Sequence, residues 1–131
     1  MVSKWYLLVI PSLVLLQLIT SSRLNIPQSA VEEALERIQD QQGVEGYVIC
    51  NYDGVVLRRS ATILKTNAET IAQNMTKLAQ SAKHASRDIN PNDSFRNLRV
   101  KTSNKELILS ADKDFLIVVI QEWTPAEDPI H

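Results

Sequence analysis

Apolar positions along the chain fall into two helical stripes and five strand-like runs. Val31, Ala34, Leu35 and Ile38 stand at i, i+3, i+4 and i+7, while Glu32, Glu33, Glu36 and Arg37 occupy the other faces. That spacing predicts a helix over 29–42, opened by a capping box at Ser29 to Glu32 and closed by Gly43. A longer stripe follows. Ala68, Ile71, Ala72, Met75, Leu78, Ala79, Ala82, Ala85 and Ile89 keep helical spacing for about 22 residues, roughly 35 Å of helix. Thr66 to Glu69 reads as its capping box, and Asn90-Pro91 ends it. Its later turns are rich in alanine. That suits packing on the chain's own core and close approach of a partner helix alike, and both readings stay open.

The strand-like runs surround these helices. Val44–Cys50 is short, apolar and bounded by turn formers, so it predicts a buried strand. Asn51-Tyr52-Asp53-Gly54 carries an Asp-Gly hairpin signal, and 55–60 continues as a second strand with Arg58 and Arg59 at a solvated end. Residues 95–101 alternate around Leu98 and Val100, then 106–110 and 115–120 follow across turns at Ser103 to Lys105 and Asp112 to Asp114. The run at 115–120 is apolar throughout, which predicts a central strand covered on both faces. The order α-β-β-α-β-β-β with tight turns predicts an α+β fold: a five-stranded antiparallel sheet with one short and one long helix. Residues 123–131 are polar, hold two prolines and predict a frayed tail.

Residues 1–26 differ in character. From Trp5 to Ile19, 12 of 15 residues are apolar and none is charged, with Lys4 before them and small residues up to Ser22 after them. A cleaved signal, a membrane anchor and a misassigned first exon are three readings of this segment. It is short for a span of ~20 apolar residues. Pro27 marks the expected start of the domain.

Composition removes several classes of function. The 131 residues suit one domain. A net charge of −1 lacks the basic surplus that phosphate-backbone binding uses, so no nucleic acid is expected. The single cysteine, Cys50, excludes an intrachain disulfide. It sits in an apolar strand and reads as a small inert hydrophobe. Two histidines, His84 and the terminal His131, make no zinc site or catalytic triad. Three glycines, Gly43, Gly46 and Gly54, do not form a phosphate-cradling loop. Asp112 and Asp114 read as a hairpin turn rather than a metal loop, and Glu32 and Glu33 as a solvated helix face. Asn74-Met75-Thr76 and Asn92-Asp93-Ser94 match the glycosylation pattern, which matters only in a secretory pathway. Neither a catalytic residue, a metal nor a cofactor is expected.

Several segments together resemble the roadblock family of dynein light chains. The matching stretches are EEALERIQDQQGVEGYVICNYDGVVLRRS at 32–60, SRDINPNDSFRNLRVKT at 86–102 and KELILSADKDFLIVVIQ at 105–121. The resemblance covers about 30–122, essentially the whole domain after residue 26. It implies a non-catalytic protein that forms a homodimer by pairing the long helix and the third strand with their copies. It also implies binding to the dynein intermediate chain, with cargo adaptors as further partners, in microtubule-based transport. On this reading Met75, Leu78, Ala79 and Ala82 on the helix, with Leu98 and Val100 on the third strand, form the dimer interface.

The extension at 1–26 has no counterpart in that family. The absent disulfides and single thiol favour the cytoplasm, with membrane contact only if residues 5–19 are an anchor. A membrane-associated roadblock-type scaffold regulating a small GTPase is the alternative function. Arg58, Arg59, Lys77 and Lys83 are candidates to meet acidic partner segments, with ordinary solvation the competing reading.

Overall fold

Strand-forming residues at 115–120 are apolar on both faces, and the architecture follows from where that segment must go. The computed structural model describes residues 28–122. They form α1 (Gln28–Asp40), β1 (Val44–Cys50), β2 (Val56–Arg59), α2 (Lys65–Ile89), β3 (Asn97–Lys101), β4 (Lys105–Ala111) and β5 (Leu116–Glu122). This is the expected element order. The five strands make one sheet, ordered β2-β1-β5-β4-β3, with every neighbouring pair antiparallel. The apolar strand β5 is central, as its composition predicts, and α1 and α2 cover opposite faces.

Alternation along β5 divides the core in two. Leu116, Val118 and Ile120 join Val48, Cys50 and Leu109 beneath Ala68, Ala72, Met75 and Ala79 of α2. Ile117 and Val119 join Tyr47 and Ile108 beneath Leu35 and Ile38 of α1. Gly46 is buried where β1 passes Ser60 and Ile63. A Cβ there would lie 2.3 Å from Ser60 Oγ and 2.6 Å from Ile63 Cγ1, so no larger residue fits. The vacated space lets Ser60 Oγ accept the Tyr47 N–H at 3.0 Å. At the β1–β2 turn, Asn51 Oδ1 accepts the backbone N–H groups of Asp53 and Val55, and Gly54 takes φ +82°.

Three local expectations are corrected. The helix α2 starts at Lys65 from an extended Leu64 with no side-chain cap, so Thr66 to Glu69 is not a capping box. Buried Ile63, its carbonyl bound by Arg59 Nη1 at 2.6 Å, sets the entry point, and Thr66 already lies inside the first turn. Its carbonyl accepts the Thr70 hydroxyl at 3.0 Å. Arg58 is not a solvated strand end, and Glu32 is not on a solvated helix face. The β1–β2 pairing skips Leu57, so Cys50 faces Val56 but Ile49 faces Arg58. That bulge turns Arg58 to the α1 face. There it forms a two-pronged ion pair with Glu32 and donates from Nε to the Tyr47 hydroxyl at 3.2 Å. The expectations for residues 1–26, the Ser29 side chain and the tail at 123–131 lie outside the described residues.

Candidate self-association surface

Two rows of small and apolar side chains run along α2, about a quarter turn apart. Ala68, Ala72, Met75 and Ala79 form the first row and are buried against the sheet. Ile71, Leu78, Ala82, Ala85 and Ile89 form the second. Leu78 is 43% exposed and Ile89 85% exposed, while Ile71 and Ala82 are half-buried. The opposite flank is taken by Lys65, Glu69 and Gln73, which face β2 across a shallow cleft.

The helix packs on β1, β2, β4 and β5 and leaves β3 with little cover. Leu98 and Val100 pair with Leu109 and Leu107 across the β3–β4 ladder, so both point to the α2 face, where they stay half-buried. Among the described residues β3 pairs only with β4. Its outer side therefore presents backbone donors and acceptors to any strand that reaches it. The edge strand, its apolar residues and the second row of α2 together form a surface able to pair by backbone hydrogen bonds and apolar packing at once.

The six residues singled out for self-association divide on this geometry. Leu78, Ala82, Leu98 and Val100 retain accessible surface on the α2 side of the molecule. Met75 and Ala79 are each 2% exposed and point into the chain's own core. The reason is helical phase: what reads as one narrow stripe is two rows, one for the sheet and one beside it. Splitting the stripe at 100° per residue separates 68, 72, 75 and 79 from 71, 78, 82, 85 and 89. Ile71, Ala85 and Ile89, counted in the stripe but not among the six, share the second row.

Of the remaining chemical candidates, Tyr52, His84 and Asp112 line one groove beside the C-terminal half of α2, and Cys50 is buried in the core. Cys50 is buried 3.9 Å from Thr76 Oγ1, and burial pushes its thiol pKa up more than that contact lowers it. Tyr52 donates to the Asp112 carbonyl; its phenol pKa is raised by burial first and by Asp112 and Asp114 next. Asp112 and Asp114 sit in the β4–β5 turn, which the Asp112 N–H closes on the Phe115 carbonyl at 2.9 Å. His84 is exposed on α2. The described residues contain no group of three or more metal-ligating side chains. No helix among them is long and apolar enough to cross a membrane. In Asn74-Met75-Thr76 the threonine is buried and its hydroxyl donates to the Ala72 carbonyl at 2.6 Å, whereas Asn92-Asp93-Ser94 is exposed.

Comparison with known proteins follows the same geometry. The Roadblock/LC7 domain profile matches residues 30–122. A Roadblock/LC7 domain from Streptomyces avermitilis superposes with a TM-score of 0.62 at 16% identity, covering 69% of this chain and 73% of that one. The gliding protein MglB of Thermus thermophilus gives 0.60 at 17% identity, covering 76% of each chain. MglB in a tetrameric arrangement gives 0.59 at 17% identity, covering 76% and 75%. The TM-scores show a shared fold, and at identities of 16–17% they show the fold alone.

Proposed function

The chain belongs to the Roadblock/LC7 domain family, and from that premise we propose that it is a homodimeric accessory light chain of cytoplasmic dynein. It holds the intermediate chain in the motor's cargo-binding part, in the cytoplasm, in association with microtubules. The Roadblock/LC7 domain is a non-catalytic adaptor or regulator fold, and the proposed role needs no reacting group.

The observation that carries this reading is the edge at β3, unpaired on its outer side among the described residues, beside the exposed second row of α2. Two copies related by a two-fold axis would pair β3 with β3, close the open edge and bury Leu78, Ala82, Leu98 and Val100 together. Met75 and Ala79 support that surface from below, through their own core. A symmetric dimer offers every binding patch twice, which suits a dimeric partner and adds avidity.

The test is a pull-down of the full chain tagged after His131, with mass spectrometry of bait and prey, run beside Leu78→Asp. Recovery of dynein intermediate and heavy chains with the wild type, reduced for a monomeric Leu78→Asp, is expected. A small GTPase recovered without dynein overturns the light-chain reading in favour of a GTPase scaffold. A wild-type chain that sediments as a monomer at micromolar concentration overturns the dimer.

A further inference from the structure

The C-terminal half of α2 overhangs the sheet and roofs a groove of about 840 Å³. Its apolar lining comes from Tyr52, Ala79, Phe95 and Ala111. Lys83 and Arg87 line it from the helix, Arg96 from the segment entering β3, and Lys113 from the β4–β5 turn. Three separate parts of the chain thus bring cations to one concavity. Asp93 and Asp112 also line it, so four cations stand against two carboxylates.

Like Lys65 and Lys77 elsewhere on α2, these cations are held in no ion pair among the described residues; here they gather at one concavity. Arg37, Arg58, Arg99 and Lys105 each hold a carboxylate, respectively Glu33, Glu32, Glu106 and Glu45. Lys83, Arg87, Arg96 and Lys113 enter no ion pair among the described residues. Four cations against two carboxylates leave the groove net positive, which favours an anionic occupant. We propose that this groove docks an acidic peptide segment of a partner protein, its carboxylates meeting the cations and an apolar side chain resting between Tyr52 and Phe95.

The occupant follows from shape and chemistry. An apolar floor between the cations calls for a ligand with both carboxylate and hydrocarbon. A concave site suits an extended segment better than a flat membrane. The chain's overall charge of −1 disfavours nucleic acid. Lys83 and Arg87 lie on the flank of α2 away from the second apolar row, so each protomer of a dimer would keep its groove open. The proposal therefore stands whether or not the partner is dynein.

The test is fluorescence anisotropy of the full-length chain with a labelled peptide alternating Glu and Leu, at low and high salt. Saturable binding that weakens with salt is expected. The double variant Arg87→Glu/Arg96→Glu should weaken it by about tenfold or more. Arg37→Glu, an exposed charge on α1, should leave it unchanged. Sedimentation should show the same oligomeric state for all three proteins. Absent binding, binding indifferent to the double variant, or an equal loss in Arg37→Glu overturns the proposal. So does uptake by phosphatidylserine vesicles that the peptide does not compete away, which would make the groove a lipid site. A change of oligomeric state in the double variant overturns it too, because the groove would then be part of the self-association surface.

Discussion

On the α1 side of the sheet, charge is built into the fold; on the α2 side it is left outside. Arg58 holds Glu32 across from β2 to α1, and Arg99 Nε holds Glu106, 1% exposed, at 2.7 Å. Gln121 is also buried, at 2% exposed. The core beneath α2 is apolar but for small groups such as the Cys50 thiol and the Thr76 hydroxyl, both buried, with Thr76 bound to its own helix. The cations around that side ring a groove instead. The difference follows from coverage. α1 is 13 residues, and its Leu35 and Ile38 pack with Tyr47, Ile108, Ile117 and Val119; beside that cluster Arg99 of β3 and Glu106 of β4 meet each other laterally. α2 is 25 residues long and covers four strands with alanine and methionine, while its last turns reach past the sheet. A cation paired within the chain contributes to stability, and one left unpaired remains available to a partner.

The largest effect that tests this contrast lies on the α1 side. Arg99→Met strands the buried Glu106 and should cost about 3–5 kcal/mol of stability by denaturant unfolding. Arg99→Met with Glu106→Leu should recover most of that loss. A double variant no better than the single one would show that Arg99 acts through other neighbours. Next comes the phase of α2. Met75→Ala should cost about 2–5 kcal/mol, because its cavity opens in the core. Leu78→Ala, on the exposed row, should change protomer stability by about 0.5 kcal/mol or less while weakening self-association. Equal losses from both would erase the distinction between the two rows.

The smallest effect is a pH dependence confined to the α2 side. Burial raises the Cys50 thiol pKa above its ordinary 9.0. A raised folded-state pKa means that the folded chain holds its proton longer than the unfolded one. Its contribution is therefore full below pH 9.0 and is lost as pH climbs through the higher folded value. Tyr52, raised above its ordinary 10.0, acts in the same direction at higher pH. Thermal melts across the alkaline range should show stability falling, with the earlier part of the fall absent in Cys50→Ala. An identical slope in that variant would assign the whole effect to Tyr52 or the lysines.

Much of the architecture is legible along the chain because strong periodicity and unambiguous turns carry it. The continuous run at Leu116–Glu122 has no polar face over its first five residues, so a two-sided position in the middle of the sheet follows from composition alone. The alternation around Leu98 and Val100 marks β3 as a strand, and its edge position comes from the sheet order. The α2 cap misleads because the threonine–glutamate pattern is local, while the helix start is decided by Ile63 anchoring the chain from the core. Arg58 misleads because two adjacent arginines read as a solvated strand end, while the bulge at Leu57 turns one of them toward Glu32. The groove is invisible along the chain. Its cations lie at 83, 87, 96 and 113 and share no motif.

The sequence by itself determined the element order and the central strand. These depend on neighbours a few residues away, where the helical and strand periods act directly. Only the tertiary structure decided which of the two rows on α2 is core, which carboxylate each arginine holds, and which cations are left without one. Those are settled by contacts between segments far apart in the chain, where a one-residue bulge or a quarter turn of helix changes what a side chain meets.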